Sequence, residues 1–532
     1  MFITTIENLS NELFYEIFDY LDGCNIYRTF LNLNYRFQQL LHGSALHFKI
    51  TIPSLNKTDE EDYEQLLLIN KQQILSLTVT LYSSEDNFFS LYPINLFTCL
   101  ESLSLSSIQS EILISILTDL TYSTHLRSLT IDIDTQSPSS NLNEIYRLIF
   151  TLPQLKYVSC SSDSTIKSKL LSVATKKQLT TIEHLVIDHN CTFSQLSIII
   201  SYTPKLRYLH ISSLDENNYS SETILPINLF NLTHLSIKSC EITFHDLKFF
   251  ITETKCNLKV LHIDYIQFYD PHYVDDNRWE SLISECLPEL KKIYLNCYQE
   301  IDTEPDSLAC CEPRHSFTSL FWIERQWALD VEMNSFDIVY SIGLYKDRWY
   351  DKKSSNELSK FTRFIITDVL DDVLDFIFLG ILMVTQIFHL EIRKHTMCSN
   401  TLIQILDYLS ELDSLRISSF ILSESKLLSF TSTKSIITKV YLENMNSIEE
   451  IDFIMQICPR LTYLKIDLTN KIDYESFFKY ILQNSHQCLQ LICLHLPTTI
   501  NNELVNKLHN HKKLIQHYTI ELEDDNIYLH RK

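Results

Sequence analysis

The six residues Leu206–Ile211 read LRYLHI, with apolar side chains at positions one, four and six. The last three, Leu209, His210 and Ile211, alternate apolar, polar, apolar, which is how a short strand with one buried face is written. Twenty-six residues on, Leu232–Ile237 reads LTHLSI, and after another twenty-six Leu258–Ile263 reads LKVLHI. The same six-letter pattern runs outward in both directions. Upstream it appears as LESLSL from Leu100 and LRSLTI from Leu126, with a first copy at Ile74. Downstream it returns as LKKIYL from Leu290, FTRFII from Phe361, IFHLEI from Ile387, LDSLRI from Leu412, ITKVYL from Ile437 and LTYLKI from Leu461. Weaker copies start at Leu155, Ile182 and Leu489. Successive copies lie 24 to 32 residues apart, with a single gap of 71. A fixed period of this size signals an array of stacked units.

Between strands the sequence writes a helix. A polar cap precedes a helical apolar pattern in SEILISILTDL from Ser110, TFHDLKFFI from Thr243 and SIEEIDFIMQI from Ser447. Pro153, Pro204, Pro288 and Pro459 each stand two residues before the next copy, where the lost amide donor stops a helix. One strand–loop–helix–turn unit cannot bury its apolar face alone, whereas stacked units can. Over about residues 66–520 this resembles the leucine-rich-repeat family. The resemblance implies a solenoid with parallel strands on a concave face and helices on the convex face. The family's Asn or Cys after the strand is matched at Asn190 and Cys240, and most other copies depart from it.

In the long gap, Trp327, Leu329, Val331 and Met333 alternate with other residues. Phe336, Ile338, Tyr340 and Ile342 do so again after Asn334-Ser335. Period two on both sides of a short turn predicts an inserted β-hairpin. Trp322, Trp327 and Trp349 sit in this region. They either hold the hairpin against the repeats or form a lip for a partner.

At the other end, residues 8–42 place Leu9, Leu13, Ile17 and Leu21 four apart, with Phe14 and Phe18 widening the face. Ser10 can cap this helix, and Asp22-Gly23 ends it. A second apolar pattern runs through Ile26, Phe30, Leu33, Phe37, Leu40 and Leu41. This stretch resembles an F-box: Leu9, Glu12, Leu13, Ile17, Tyr20, Leu21 and Arg36 match in order. Ser10 stands where that family has proline, and Phe37 where it has tryptophan. The resemblance implies docking on a Skp1-like adaptor through Leu9, Leu13, Ile17, Leu21, Leu33 and Phe37. It further implies a substrate receptor of an SCF-type (Skp1–cullin–F-box) ubiquitin ligase, with the repeats holding an unknown substrate protein for degradation. The alternative is a repeat scaffold or inhibitor whose N-terminal helices only cap the solenoid.

Composition narrows the rest. The 532 residues carry 67 Asp and Glu against 44 Lys and Arg, a formal charge of −23. Such a chain repels phosphate backbones and anionic bilayers, so neither nucleic acid nor membrane is the expected partner. Only Gly23, Gly43, Gly343 and Gly380 occur, too far apart for a phosphate-cradling loop. Fourteen cysteines without a C-x-x-C pair, and an N-terminus without a basic start and apolar core, suit reduced thiols in the cytoplasm or nucleus. The apolar run Phe376–Phe388 is too short to span a bilayer, which needs roughly 20 residues. Cys310-Cys311 with His315 lacks a fourth metal ligand, the donor-rich stretch from Asp270 to Asp276 reads as a solvated acidic loop, and His509–His511 reads as a polar helix face with nothing beside it to complete a nuclease. No catalytic residue, metal or cofactor is expected, and the chain reads as non-enzymatic.

The expected organisation is an α/β repeat protein: a helical module over 1–47, repeats over 48–298 and 354–520, a hairpin-bearing insertion over 299–353, and a tail over 521–532. The residues flanking the buried strand positions should face solvent. In the centre these are Tyr208, His210, His234, Lys238, His262, Asp264 and Tyr294, the candidate substrate contacts. Further on they are His389, Glu391, Arg393, Arg416, Lys439, Tyr441, Tyr463 and Lys465.

Overall fold

The structure is a computed structural model that describes residues 9–43, 46–52, 66–67, 71–81, 88–134, 142–162, 172–215, 228–266, 271–300, 317, 319–346, 348–350, 362–368, 385–394, 397–422, 435–445, 447–468, 476–477, 479–481, 489–495, 518–523 and 526–532. The chain divides into two compact units: residues 1–264 with 282–291, and residues 265–281 with 292–532.

The first unit opens with three short helices, α1 (Asn11–Phe18), α2 (Gly23–Phe30) and α3 (Tyr35–Leu41). Each starts on the side chain its sequence supplies. Ser10 accepts from the Leu13 amide, Asp22 from the Cys24 amide and Asn34 from the Phe37 amide. The second apolar pattern of the sequence is therefore two helices, broken before Asn34. Phe14, Phe18, Phe30 and Phe37 pack ring on ring, with centroids 4.8 to 6.4 Å apart, to form the interior. Arg36 ties α3 to the start of α1: its Nη2 donates to the Leu9 carbonyl at 2.6 Å and its Nε to Asn11 Oδ1 at 2.9 Å.

The strands that follow are β1 (Phe48–Ile52), β2 (Ile74–Thr80), β3 (Ser102–Ile108), β4 (Ser128–Ile133), β5 (Tyr157–Ser162), β6 (His184–Thr192), β7 (Tyr208–Asp215), β8 (His234–Cys240) and β9 (Val260–Ile266). From β1 to β8 each pairs in parallel with the next. A backbone ladder marks the period at the strand entrances. The amide of Arg127 donates to Glu101 O, Lys156 to Arg127 O, Glu183 to Lys156 O, Arg207 to Glu183 O, Thr233 to Arg207 O, and Lys259 to Thr233 O. Helices Ser110–Leu120, Leu142–Ile149, Phe193–Ser201 and Phe244–Thr254 return the chain between strands. The pattern leucines are sealed, with Leu103, Leu129, Leu185, Leu209, Leu235 and Leu261 all at or below 1% exposure.

The helical module is not free-standing. An added Cβ on Gly23 would lie 3.1 Å from Ile50 Cγ1 and 3.2 Å from Phe48, so α2 sits directly on β1. Lys49 Nζ donates to Asp19 O at 3.0 Å, and the Thr51 amide donates to Asp22 Oδ2 at 2.8 Å.

In the second unit the strands are β10 (Lys292–Glu300), β11 (Trp327–Met333), β12 (Asp337–Leu344), β13 (Arg363–Ile366), β14 (His389–Ile392), β15 (Met397–Cys398), β16 (Ser414–Ile417), β17 (Phe420–Ile421), β18 (Lys439–Met445), β19 (Tyr463–Leu468), β20 (Leu491–His495), β21 (Tyr518–Glu523) and β22 (Asn526–Arg531). The hairpin expected from sequence forms as β11–β12. It does not project from the array, because β12 also pairs antiparallel with β10 and β11 pairs parallel with β13. Parallel pairing then runs through β13, β14, β16, β18, β19 and β20, while β15 and β17 form a separate two-residue ladder. The last residues are not a tail: β22 pairs antiparallel with both β20 and β21. Ile527, Tyr528 and Leu529 are all buried in this strand.

Trp322 and Trp327 are fully buried, with ring centroids 6.0 Å apart, so these two hold the hairpin and do not form a lip. The apolar run 376–388 falls mostly outside the described residues, as do Cys310, Cys311, His315 and His509–His511. Asp276 of the acidic loop is buried, and its Oδ2 accepts from the Phe317 amide at 3.1 Å. Among the described residues no helix is long and apolar enough to cross a membrane.

Candidate protein-binding walls

The strand face opposite the buried leucines is the wall of each unit, and parallel register fixes which side chains share a row. In the first unit Tyr157 stands beside His184, His184 beside Tyr208, and Tyr208 beside His234. Their rings form a ladder with centroid spacings of 6.4, 5.9 and 6.0 Å. Each ring is at least partly open to solvent. Tyr157 and His184 do not stand out in the sequence because they lie in two of the three weaker repeat copies. Their position, third in the six-residue pattern, is that of Tyr208 and His234, so the column itself was the missing signal.

The neighbouring row carries His210 between Val186 and Ser236. Burial and the nearby Lys238 ammonium hold the His210 imidazole below its usual value, so it is neutral at pH 7. Lys238 is exposed, and His262 Nε2 lies 3.1 Å from Asp264 Oδ1. Asp188 bonds the Ser212 hydroxyl. Along the strand entrances, Lys156 and Arg207 both reach Glu183, at 3.3 and 3.5 Å. Six of the seven expected contacts, Tyr208, His210, His234, Lys238, His262 and Asp264, thus share the first unit's wall. The seventh, Tyr294, is 37% exposed on β10 of the second unit.

The wall of the second unit is different. Register places Arg363, His389, Ser414, Lys439, Tyr463 and Leu491 in one row. The next row holds Ile365, Glu391, Arg416, Tyr441, Lys465 and Cys493. The strand alternation places these residues on the observed face and predicts them in solvent. His389, Glu391, Tyr441 and Tyr463 are instead buried, His389 completely and Glu391 to 2% exposure. The cover over His389, Tyr441 and Tyr463 is the segment Arg348–Tyr350. The Trp349 ring lies 5.4 Å from Tyr441 and 5.2 Å from Tyr463, and Tyr350 lies 5.8 Å from His389. Lys439 Nζ sits 4.9 Å above the Tyr350 ring.

Beneath this cover a polar chain is closed. Arg348 Nη1 donates to Tyr350 Oη at 3.0 Å, Tyr350 Oη is 3.1 Å from Ser414 Oγ, and Ser414 Oγ is 2.6 Å from His389 Nδ1. His389 Nε2 faces Glu391 Oε1 at 3.2 Å. Arg363, Arg393 and Arg416 surround the same carboxylate at 3.3, 2.9 and 3.6 Å, and Arg363 also grips Asp330. Burial drives the His389 pKa down to about 4, so the ring is neutral at pH 7. Burial opposes ionisation of Glu391. The hydrogen bond from His389 and the surrounding cations win, and hold the carboxyl far below the ordinary carboxylate range. Ser414, His389 and Glu391 stand in the order of a hydroxyl–imidazole–carboxylate relay, but Ser414 has no exposed surface, so its hydroxyl meets no substrate in this conformation. The arrangement holds the cover in place.

On the helical module, Leu13 (44% exposed), Ile17, Leu21 and Leu33 (52%) lie open, and Leu9 is half-buried. Phe37, the sixth residue carried over from the F-box pattern, is inside the phenylalanine cluster at 0%.

Among the described residues no group of three or more His, Cys, Asp or Glu side chains is placed to hold a metal ion. Comparison with protein-family models and with curated proteins returns no match for this chain.

Proposed function

We propose that the chain is a non-catalytic adaptor: its N-terminal helices dock on a Skp1-like protein of a cullin ubiquitin ligase, and the wall of its first unit holds a substrate protein. One observation carries the reading. Phenylalanines fill the module's interior, yet Leu13, Ile17, Leu21 and Leu33 stay uncovered beside a fully exposed Tyr20. Apolar side chains grouped on so small a module favour a partner that covers them. The first wall offers exposed tyrosine and imidazole rings with Lys238 among them, which is hot-spot chemistry for a protein partner.

Mixing the purified chain with a Skp1-like adaptor at micromolar concentration tests the first half. The wild type should co-elute with it. Leu13→Asp with Ile17→Asp should not, and since both side chains are only partly exposed, at 44% and 37%, the variant counts only where its circular dichroism matches the wild type. Failure of the folded wild type to bind removes the ligase link.

A second reading is a repeat scaffold whose helices only cap the array, and the packing of Gly23 on Phe48 and Ile50 favours it. Deleting the module therefore disturbs either kind of protein. The surface pair Leu13 and Ile17 separates the two readings cleanly, since a cap tolerates those substitutions and an adaptor does not.

A further inference from the structure

The second unit's wall already has an occupant. Three consecutive residues of the chain, Arg348-Trp349-Tyr350, lie across strand rows that a repeat array ordinarily presents to its ligands. Arginine, tryptophan and tyrosine are also the residue types that dominate protein-interface energetics. Tyr350 occupies a seat made by His389, Ser414 and Lys439. Trp349 occupies the neighbouring seat between Tyr441 and Tyr463, and Tyr463 also shares one buried cluster with Tyr350, Cys493 and Tyr528.

The fit is incomplete in a telling way. Trp349 Nε1 is buried with no hydrogen-bond partner among the described residues. Asp467 accepts from Tyr441 at 2.6 Å through one oxygen, while its buried Oδ1 finds no partner among them. A buried donor and a buried acceptor left unmatched weaken the hold of the resident segment. They also leave a position where a ligand carrying one more donor would bind better.

We propose that this wall is a binding site for an extended peptide presenting an arginine followed by two aromatic residues. Residues 348–350 occupy it in cis, and a partner segment of the same order takes it by exchange. The inference goes beyond the adaptor reading and stands apart from it, since no residue of the N-terminal helices takes part. A hydrogen-bond donor that reaches Asp467 Oδ1 distinguishes the partner from the resident segment.

The test uses the full chain and a fluorescein-labelled peptide with the sequence of residues 345–350, read by fluorescence polarisation. The double variant Trp349→Ala, Tyr350→Ala empties both seats and should bind the peptide at micromolar concentration, at least tenfold tighter than the wild type. The same peptide with alanine in place of its tryptophan and final tyrosine should bind neither protein. No binding to a double variant with native circular dichroism, or equal binding to both proteins, overturns the proposal. Should the double variant not fold, Tyr350→Phe replaces it, because it removes one hydroxyl and keeps the ring. A threefold or greater gain in peptide affinity then supports the proposal, and affinity equal to the wild type overturns it.

Discussion

His389 shows how much chemistry hangs on one covered residue. Its pKa in the fold, about 4, lies below the roughly 6.5 of an unfolded histidine. As pH falls, the unfolded chain therefore takes the proton first, and the fold loses stability between about pH 6.5 and 4, by up to about 3 kcal/mol. Glu391, held below its ordinary range, adds a further loss once pH drops through the unfolded carboxylate value near 4.5. Urea unfolding at pH 7, 6 and 5 should show a steeper decline for the wild type than for His389→Gln; equal slopes would sink this account. Cysteines give a second prediction at this scale. Cys160 and Cys458 are buried, with thiols pushed up to about 12, whereas Cys398 is exposed. Among the described cysteines, a maleimide reagent on the native chain should modify Cys398 first, as peptide mapping would show. The face on which His389 and Glu391 lie was legible in the alternation of IFHLEI. Their burial was not, because the cover comes from Trp349 and Tyr350, far away in the chain, and local pattern carries no record of a distant neighbour.

The strands were the most legible elements, since each needs only apolar positions one, four and six, and Leu209, Ile211, Leu235 and Ile237 are all sealed as that pattern requires. Leu209→Ala should cost about 2–5 kcal/mol, whereas Tyr208→Ala beside it, on the open wall, should leave the melting temperature within a degree and show itself only in partner binding. The helix Phe244–Thr254 ends on Lys255 with φ 48°, a left-handed turn that glycine adopts without strain. Lys255→Gly should stabilise the chain by about 1 kcal/mol, read by thermal melting. In a chain this poor in glycine, the stop signal for that helix was missing from the sequence. The hairpin was visible in its alternation and in Asn334, whose Oδ1 accepts from the Phe336 and Asp337 amides at 2.7 and 2.8 Å. Its insertion between β10 and β13 was not visible, because strand pairing is chosen by the whole sheet and not by the strand.

At the scale of the molecule, a formal charge of −23 means the compact chain repels itself. Raising sodium chloride from 10 to 150 mM should lift the melting temperature by about 2 °C or more as that repulsion is screened. The repeat period and the helical start were readable from sequence; how the start is moored was not. Asp22 caps α2 through the Cys24 amide and, with its other oxygen, takes the amide of Thr51 on the outermost described strand of the first unit. A strand margin with free amides is a template on which a second chain can lay its own strand. A protease nick that released the first helices would unsheathe that margin together with the oily side chains of Phe48 and Ile50. The clipped protein would then tend to associate margin to margin.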